Sequence, residues 1–300
     1  MIRTVSLRGA SGCSTSGGLS PTTLVPAWLR LVLLLLVCVA PATADEQRLP
    51  GKFVWSELVT YDIAASEQFY GPLFDWRFED HDGYRVAWRG DEPIGGLVHR
   101  TRKDQAAKSR WIAYMSVEDM AAVKASLLES GARLLADSRT IEGLGALAVF
   151  ADPEGALFGI IDTAVPDPGD YLADVGSWIW LQLFSRDTEQ ASQFYERIGG
   201  YQRVAAPRNP GAYLLLRGGY ARAALSTLPP NKPDANPNWV PFLRVADIAA
   251  TLEQATALGA KILVAPRPDL YEGRVAMIEA PDGSVVGIMV WESQAGEEAP

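Results

Sequence analysis

FVWSELVTYDIAASEQFYGPLFDW, residues 53–76, returns as WIWLQLFSRDTEQASQFYERIGGY, residues 178–201. Trp55, Leu58, Asp62, Gln68, Phe69 and Tyr70 recur 125 positions later as Trp180, Leu183, Asp187, Gln193, Phe194 and Tyr195. Two further pairs, each 128 positions apart, keep the same order: 111–135 with 239–263, and DPEGALFGI (152–160) with APDGSVVGI (280–288). Three matched pairs in one order mean a duplicated domain. Each copy divides again. Residues 53–100, 111–162, 178–226 and 239–292 each read as a strand, a helix and further strands. Each first strand ends in an aspartate: Asp62, Asp119, Asp187 or Asp247. A carboxylate there accepts a free N–H of the first helical turn and favours the positive helix end, so these four are read as caps rather than catalysts. Gly131 and Gly259 stand where two of the helices should stop.

AVPDPGDYLADVG (164–176), with its prolines, glycines and acids, reads as a linker between domains at 50–163 and 177–293. PPNKPDANPN (229–238) reads as a loop within the second copy, and 294–300 as a polar tail. Residues 1–44 read as an export signal. They hold Arg3, Arg8 and Arg30, no acid, and the apolar run LVLLLLVCVA (31–40). Ten residues of helix span about 15 Å, half of a bilayer core of about 30 Å, too short for a stable anchor. Pro41 breaks the run, and Ala42-Thr43-Ala44 offers small residues for cleavage. Cys38 is a poor lipid-attachment site because Val37 before it is larger than such sites accept. Cleavage after Ala44 removes both cysteines, Cys13 and Cys38, and so all thiol chemistry. Taking the three arginines from the 27 basic residues, against 36 acidic ones, leaves a net charge of −12. That argues against nucleic acid or an anionic membrane as partner. The expected product is exported, periplasmic or secreted; a homodimer is left open.

Strand, aspartate, helix ending in Phe-Tyr, and a late DPxG before the last strand resemble the vicinal oxygen chelate superfamily, which includes glyoxalase I, extradiol dioxygenases and bleomycin-resistance proteins. The resemblance covers nearly all of 53–292. It implies an α+β fold: two tandem domains, each a pair of βαβββ modules whose mixed sheet forms a cup. In metal-using members a His or Gln sits seven residues before the capping aspartate, and a Glu seven residues after the aspartate of DPxG. Those places hold Trp55, Ile112, Trp180, Val240, Gly159 and Gly287 here. None of these side chains binds a divalent metal. The two histidines, His81 in the turn sequence EDHDGY and His99 near a strand end, both lie in the first domain and read as solvated. A site between domains would be left with acids alone, which suit Ca or Mg. No metal and no cofactor are therefore expected.

Residues two apart on a strand share a face. Taking the lost ligand positions as the cup face puts Trp55, Glu57 and Val59 in the first cup, with Val54 and Leu58 toward the helix. Trp180, Gln182 and Phe184 face the second cup, with Ile179, Leu181 and Leu183 behind. Tyr114 and Phe242 join them from the second modules, together with Ser116 and Arg244; Gly159 and Gly287 should leave open space, and Trp291 should point inward. Such an aromatic lining suits a flat apolar ligand. The expected binding residues are Trp55, Glu57, Tyr114, Trp180, Gln182 and Phe242. For both tryptophans, pocket wall and plain core stay open. Glu57 has three readings: a ligand anchor, half of an ion pair with Arg85 or Arg89, or a general base. The function expected is an exported glyoxalase-like protein that binds a small hydrophobic or aromatic molecule without a metal. The alternative is an enzyme, either through Glu57 or through relocated metal ligands.

Overall fold

A computed structural model describes residues 48–101, 108–206, 209–229 and 235–292. The proposed signal segment lies outside these residues. Among the described residues no helix is long and apolar enough to cross a membrane.

The first copy runs β1 (Phe53–Thr60), α1 (Ile63–Phe74), β2 (Arg77–His81), β3 (Tyr84–Arg89), β4 (Glu92–His99), β5 (Arg110–Ser116), α2 (Met120–Glu129), β6 (Arg133–Ile141), β7 (Gly145–Ala151) and β8 (Leu157–Thr163). The second runs β9 (Trp178–Ser185), α3 (Thr188–Gly199), β10 (Gln202–Ala205), β11 (Tyr213–Arg217), β12 (Tyr220–Thr227), β13 (Asn238–Arg244), α4 (Ile248–Ala257), β14 (Lys261–Val264), β15 (Val275–Glu279) and β16 (Val285–Met289). All four aspartates cap as read. Their side chains accept from the backbone N–H of Ala65, Ala122, Gln190 and Ala250 at 2.9–3.0 Å. Gly131 and Gly259 take φ of +87° and +91°, the left-handed region that side chains resist.

Each copy forms its own eight-stranded mixed sheet, in the order β2-β3-β4-β1-β5-β8-β7-β6 and β10-β11-β12-β9-β13-β16-β15-β14. In the first sheet β3 and β6 are six strand spacings apart, about 29 Å if the sheet were flat. Yet the Arg139 guanidinium on β6 lies 5.5 Å from the ring centre of Tyr84 on β3. The sheet is therefore curled into a cup.

The helix-side faces of the two sheets pack on each other in a crossed manner. One core joins Leu58, Tyr70 and Trp111 of the first copy to Leu243, Leu252 and Ile288 of the second. The other joins Met115, Leu127 and Phe158 to Leu183, Tyr195 and Trp239. The repeated motifs sit at these junctions. Tyr195 donates to Asp152 of the DPEG turn at 3.0 Å and accepts from Trp239 Nε1 at 2.8 Å. In the mirror position Tyr70 meets Ser284 Oγ at 2.7 Å and accepts from Trp111 Nε1 at 2.9 Å. The Phe-Tyr signature and the late turn at 152–155 or 280–284 are thus among the contacts that lock one copy to the other.

Residues 164–176 are pinned along their length. Buried Asp167 accepts from the Leu49 N–H and the Ser116 hydroxyl, each at 2.6 Å. Asp170 accepts from Lys52 at 2.9 Å and from both terminal nitrogens of Arg222.

Candidate functional site: a cleft over a buried carboxylate

Alternation on β1 places Trp55 in the cup, within a buried cluster with Tyr84, Val86, Ile112, Tyr114, Leu147 and Ile161. Leu58 points to the opposite, helix-side core. Val54 departs from expectation by packing on the cup cluster, and Ile179 does the same in the second copy. The reason is a β-bulge. Opposite β5 the pairing slips between Phe53 and Trp55, and opposite β13 it slips at the matching place between Trp178 and Trp180. One extra residue in the strand turns its side chain to the neighbouring face.

Glu57 is the centre of the first cup. Its side chain is 2% exposed, and its oxygens accept from three donors. The Tyr84 hydroxyl donates to Oε1 at 2.7 Å, Arg139 donates to the same oxygen at 2.6 Å, and the Tyr114 hydroxyl donates to Oε2. Trp55 Nε1 in turn donates to the Tyr84 oxygen at 3.0 Å. A buried carboxylate needs such partners, since bare it would be strongly disfavoured. Burial first, and then the neighbouring Glu57 charge, push both tyrosine hydroxyls far above their ordinary range, so they remain donors.

The ion-pair partner of Glu57 is Arg139, not Arg85 or Arg89. Arg85 reaches across to Glu67 on α1 at 2.5 Å, and Arg89 donates to the Val175 carbonyl at 3.0 Å. The glycines do not leave open space either. A Cβ on Gly159 would lie 2.1 Å from the Tyr114 ring, and one on Gly287 2.1 Å from the Phe242 ring. Aromatic side chains fill the places where the family's ligand glutamate would reach in. Arg244 and Ser116 serve the frame: Arg244 donates to the Trp291 and Ala173 carbonyls at 3.1 and 2.8 Å, and Ser116 holds Asp167. Trp291, expected inside, lies beyond the end of β16 and is 47% exposed.

Among the described residues, open space lies at one end of the first cup. A cleft of about 640 Å³ is bounded by residues 80–84, the β4 end at 97–99, and residues 139–142. Tyr84 and Arg139 line it, so the Glu57 carboxylate lies directly beneath its wall. Both histidines line it as well. None of the six expected binding residues does. Trp55 (7% exposed) and Tyr114 (0%) are packed floor beneath the cleft rather than its wall.

The second cup lacks this constellation position by position. Gln182 stands for Glu57 and donates to the Leu183 carbonyl and the Ser226 hydroxyl at 3.2 Å. Phe242 stands for Tyr114. The register β11–β12 against β3–β4 puts Ala212 at the place of Tyr84 and Ala224 at that of Gly96, the residue over which the Tyr84 hydroxyl lies. Arg267, 128 positions after Arg139, pairs at the surface with Asp269 at 3.3 Å. Trp180 is half-buried among Val240, Phe242 and Met289.

The vicinal oxygen chelate metal positions do not fit a metal here. In the first cup they are occupied by the Trp55 indole, by Ile112 and by Gly159 under the Tyr114 ring. Among the described residues no three His, Cys, Asp or Glu side chains are grouped to hold an ion.

Residues 55–161 match the glyoxalase-like domain family, and residues 178–288 match the glyoxalase/bleomycin resistance protein/dioxygenase superfamily. The chain belongs to this superfamily, the vicinal oxygen chelate proteins, as a tandem two-domain member. Curated relatives include "Putative glyoxylase CFP32" of Mycobacterium tuberculosis, 25% identical over 78% of this chain and 93% of that protein. Another is the anthracycline biosynthesis protein DnrV of Streptomyces peucetius, 27% identical over 83% of this chain and 96% of that protein. Among solved structures, the Mn(II)-bound glyoxalase of Novosphingobium aromaticivorans superposes with a TM-score of 0.59 at 13% identity, covering 81% of this chain and 83% of that one. An extradiol ring-cleaving dioxygenase from B. fuscum gives 0.59 at 15% identity, covering 84% and 74%. At such identities these two establish the shared fold alone.

Proposed function

We propose that this glyoxalase-like protein is exported and binds a small, flat, largely apolar molecule in the cleft of its first domain, without a metal. The observation that carries this reading is the buried Glu57 carboxylate, held by Tyr84, Tyr114 and the partly exposed Arg139 directly beneath a cleft of about 640 Å³. The cleft is lined mostly by polar and charged groups, with Tyr84, Val98 and Ile141 as its apolar wall, and convergent polar groups beside an apolar wall can fix the orientation of a small molecule. Glu57 is a ligand-site anchor acting through Arg139. It holds the guanidinium at the cleft wall while its two oxygens accept from three donors. The second domain, with Gln182, Ala212 and Phe242 at the places of Glu57, Tyr84 and Tyr114 and with Arg267 paired at the surface, supplies packing to the first. The relatives named for anthracycline biosynthesis lend weight to a polycyclic aromatic ligand.

The test is elemental analysis with native mass spectrometry of the protein purified from its own host, followed by a thermal-shift screen of aromatic compounds. Less than stoichiometric Ni, Zn, Fe or Mn is expected, with no change in melting temperature on chelation and a rise with a cleft ligand. A stoichiometric metal whose removal lowers the melting temperature would sink the metal-free reading. N-terminal sequencing of the exported protein is expected to begin at Asp45; a chain retaining 31–40 would refute cleavage.

A further inference from the structure

The cleft carries a charge pattern that speaks to the class of its ligand, given the reading above that it is a ligand site. Among the described residues lining it, Arg139 is the one Lys or Arg. Glu57 already balances that charge at 2.6 Å. Yet the Arg139 side chain is 42% exposed, and a guanidinium has five N–H donors. Its outer edge therefore still offers hydrogen bonds to the cleft. The rim is acidic: Asp80 near the end of β2, Asp82 in the β2–β3 turn and Glu142 after β6 are all exposed. Asp80 is fixed there by accepting the Gly83 N–H at 3.0 Å. The other titratable lining groups are His81, His99 and the buried Tyr84.

A carboxylate entering this cleft passes three carboxylates and meets a guanidinium already neutralised from behind. Fields of one sign at a cleft mouth act on every entering charge. A neutral carbonyl oxygen takes the same N–H donors without that repulsion. Its flat body can lie along Tyr84, Val98 and Ile141, which also line the cleft and belong to the cup-side cluster. We infer that the cleft selects neutral flat molecules presenting a carbonyl-type oxygen to Arg139, and excludes carboxylates of the same shape.

The test uses three probes of one shape: 2-acetylnaphthalene, 2-naphthoate and 2-ethylnaphthalene. They are titrated calorimetrically at pH 8, above the ordinary imidazole range, and at low salt. The ketone is expected to bind about tenfold tighter than the hydrocarbon, with the carboxylate weakest. In Asp80→Asn/Asp82→Asn/Glu142→Gln the deficit of the carboxylate should shrink. In Glu57→Gln/Arg139→Gln, which leaves no buried charge unpaired, the advantage of the ketone over the hydrocarbon should vanish. Should that double variant not fold, Arg139→Lys keeps the charge, loses the planar fork, and should reduce the same advantage. A carboxylate that binds as tightly as the ketone overturns the selection while leaving the cleft a ligand site. A hydrocarbon equal to the ketone overturns the role of Arg139. If none of the three binds, the cleft reading falls and this inference falls with it.

Discussion

Glu57 is held on three sides, so its neutral isostere is informative. Glu57→Gln keeps the shape and weakens charge-assisted bonds from Tyr84, Tyr114 and Arg139. A loss of about 1.5–3 kcal/mol is expected in urea unfolding, the range for hydrogen bonds to a charged group. Unchanged stability would mean that the cluster contributes nothing to the fold. Trp55, 7% exposed and bonded to Tyr84, behaves as core. Trp55→Ala should cost about 3–5 kcal/mol, and the half-buried Trp180→Ala clearly less. Equal costs would refute that contrast. At this scale the sequence revealed two members of the four-residue buried cluster, Glu57 and Tyr114, and neither of the two that line the cleft. Alternation from the lost ligand positions placed Glu57, Trp55 and Tyr114 in the cup. It could not reveal Arg139, which comes from the far edge of the sheet and meets β1 only because the sheet curls. Nor could it reveal Tyr84, whose position depends on the β3–β4 register.

Among the elements, the strands show how a lost ligand site is refilled. Tyr114 on β5 and Gly159 on the paired strand β8 sit opposite each other in register, and the ring occupies the space above the glycine. Phe242 and Gly287 repeat the pairing on β13 and β16. Gly159→Ala should therefore destabilise by about 1–3 kcal/mol through overpacking. The same change in a Tyr114→Ala background should cost much less, and a double-mutant cycle reads the coupling. Additive costs would disprove the refilling account. The strand–Asp–helix order and the four caps were legible because capping is local chemistry. The bulges at Val54 and Ile179 were not. They depend on how β1 and β9 meet antiparallel partners more than 50 residues away.

For the molecule as a whole, Asp170 ties the segment between the sheets to both copies, through Lys52 of the first and Arg222 of the second. Burial raises its carboxyl pKa, but the Arg222 and Lys52 hydrogen bonds outweigh that and hold it below the ordinary carboxylate value. The folded state thus binds this proton less readily than the unfolded chain. Its contribution is full above the unfolded pKa of about 4 and is lost as pH falls through the lower folded value. Asp170→Asn should lower the melting temperature at pH 7 and flatten its decline below about pH 4. A parallel decline in both proteins would assign the acid sensitivity elsewhere.

The crossed packing of the two cores has a consequence for dissection. Each copy's helix face is completed by the other, with Tyr70 seated on the Ser284 turn and Tyr195 on the Asp152 turn. Neither half carries a closed interior. Produced alone, either half would present a broad apolar face to water and aggregate. Produced together as separate 45–176 and 177–293 polypeptides, they should reassociate, making the protein a natural split reporter whose two pieces are silent apart and restored by reunion.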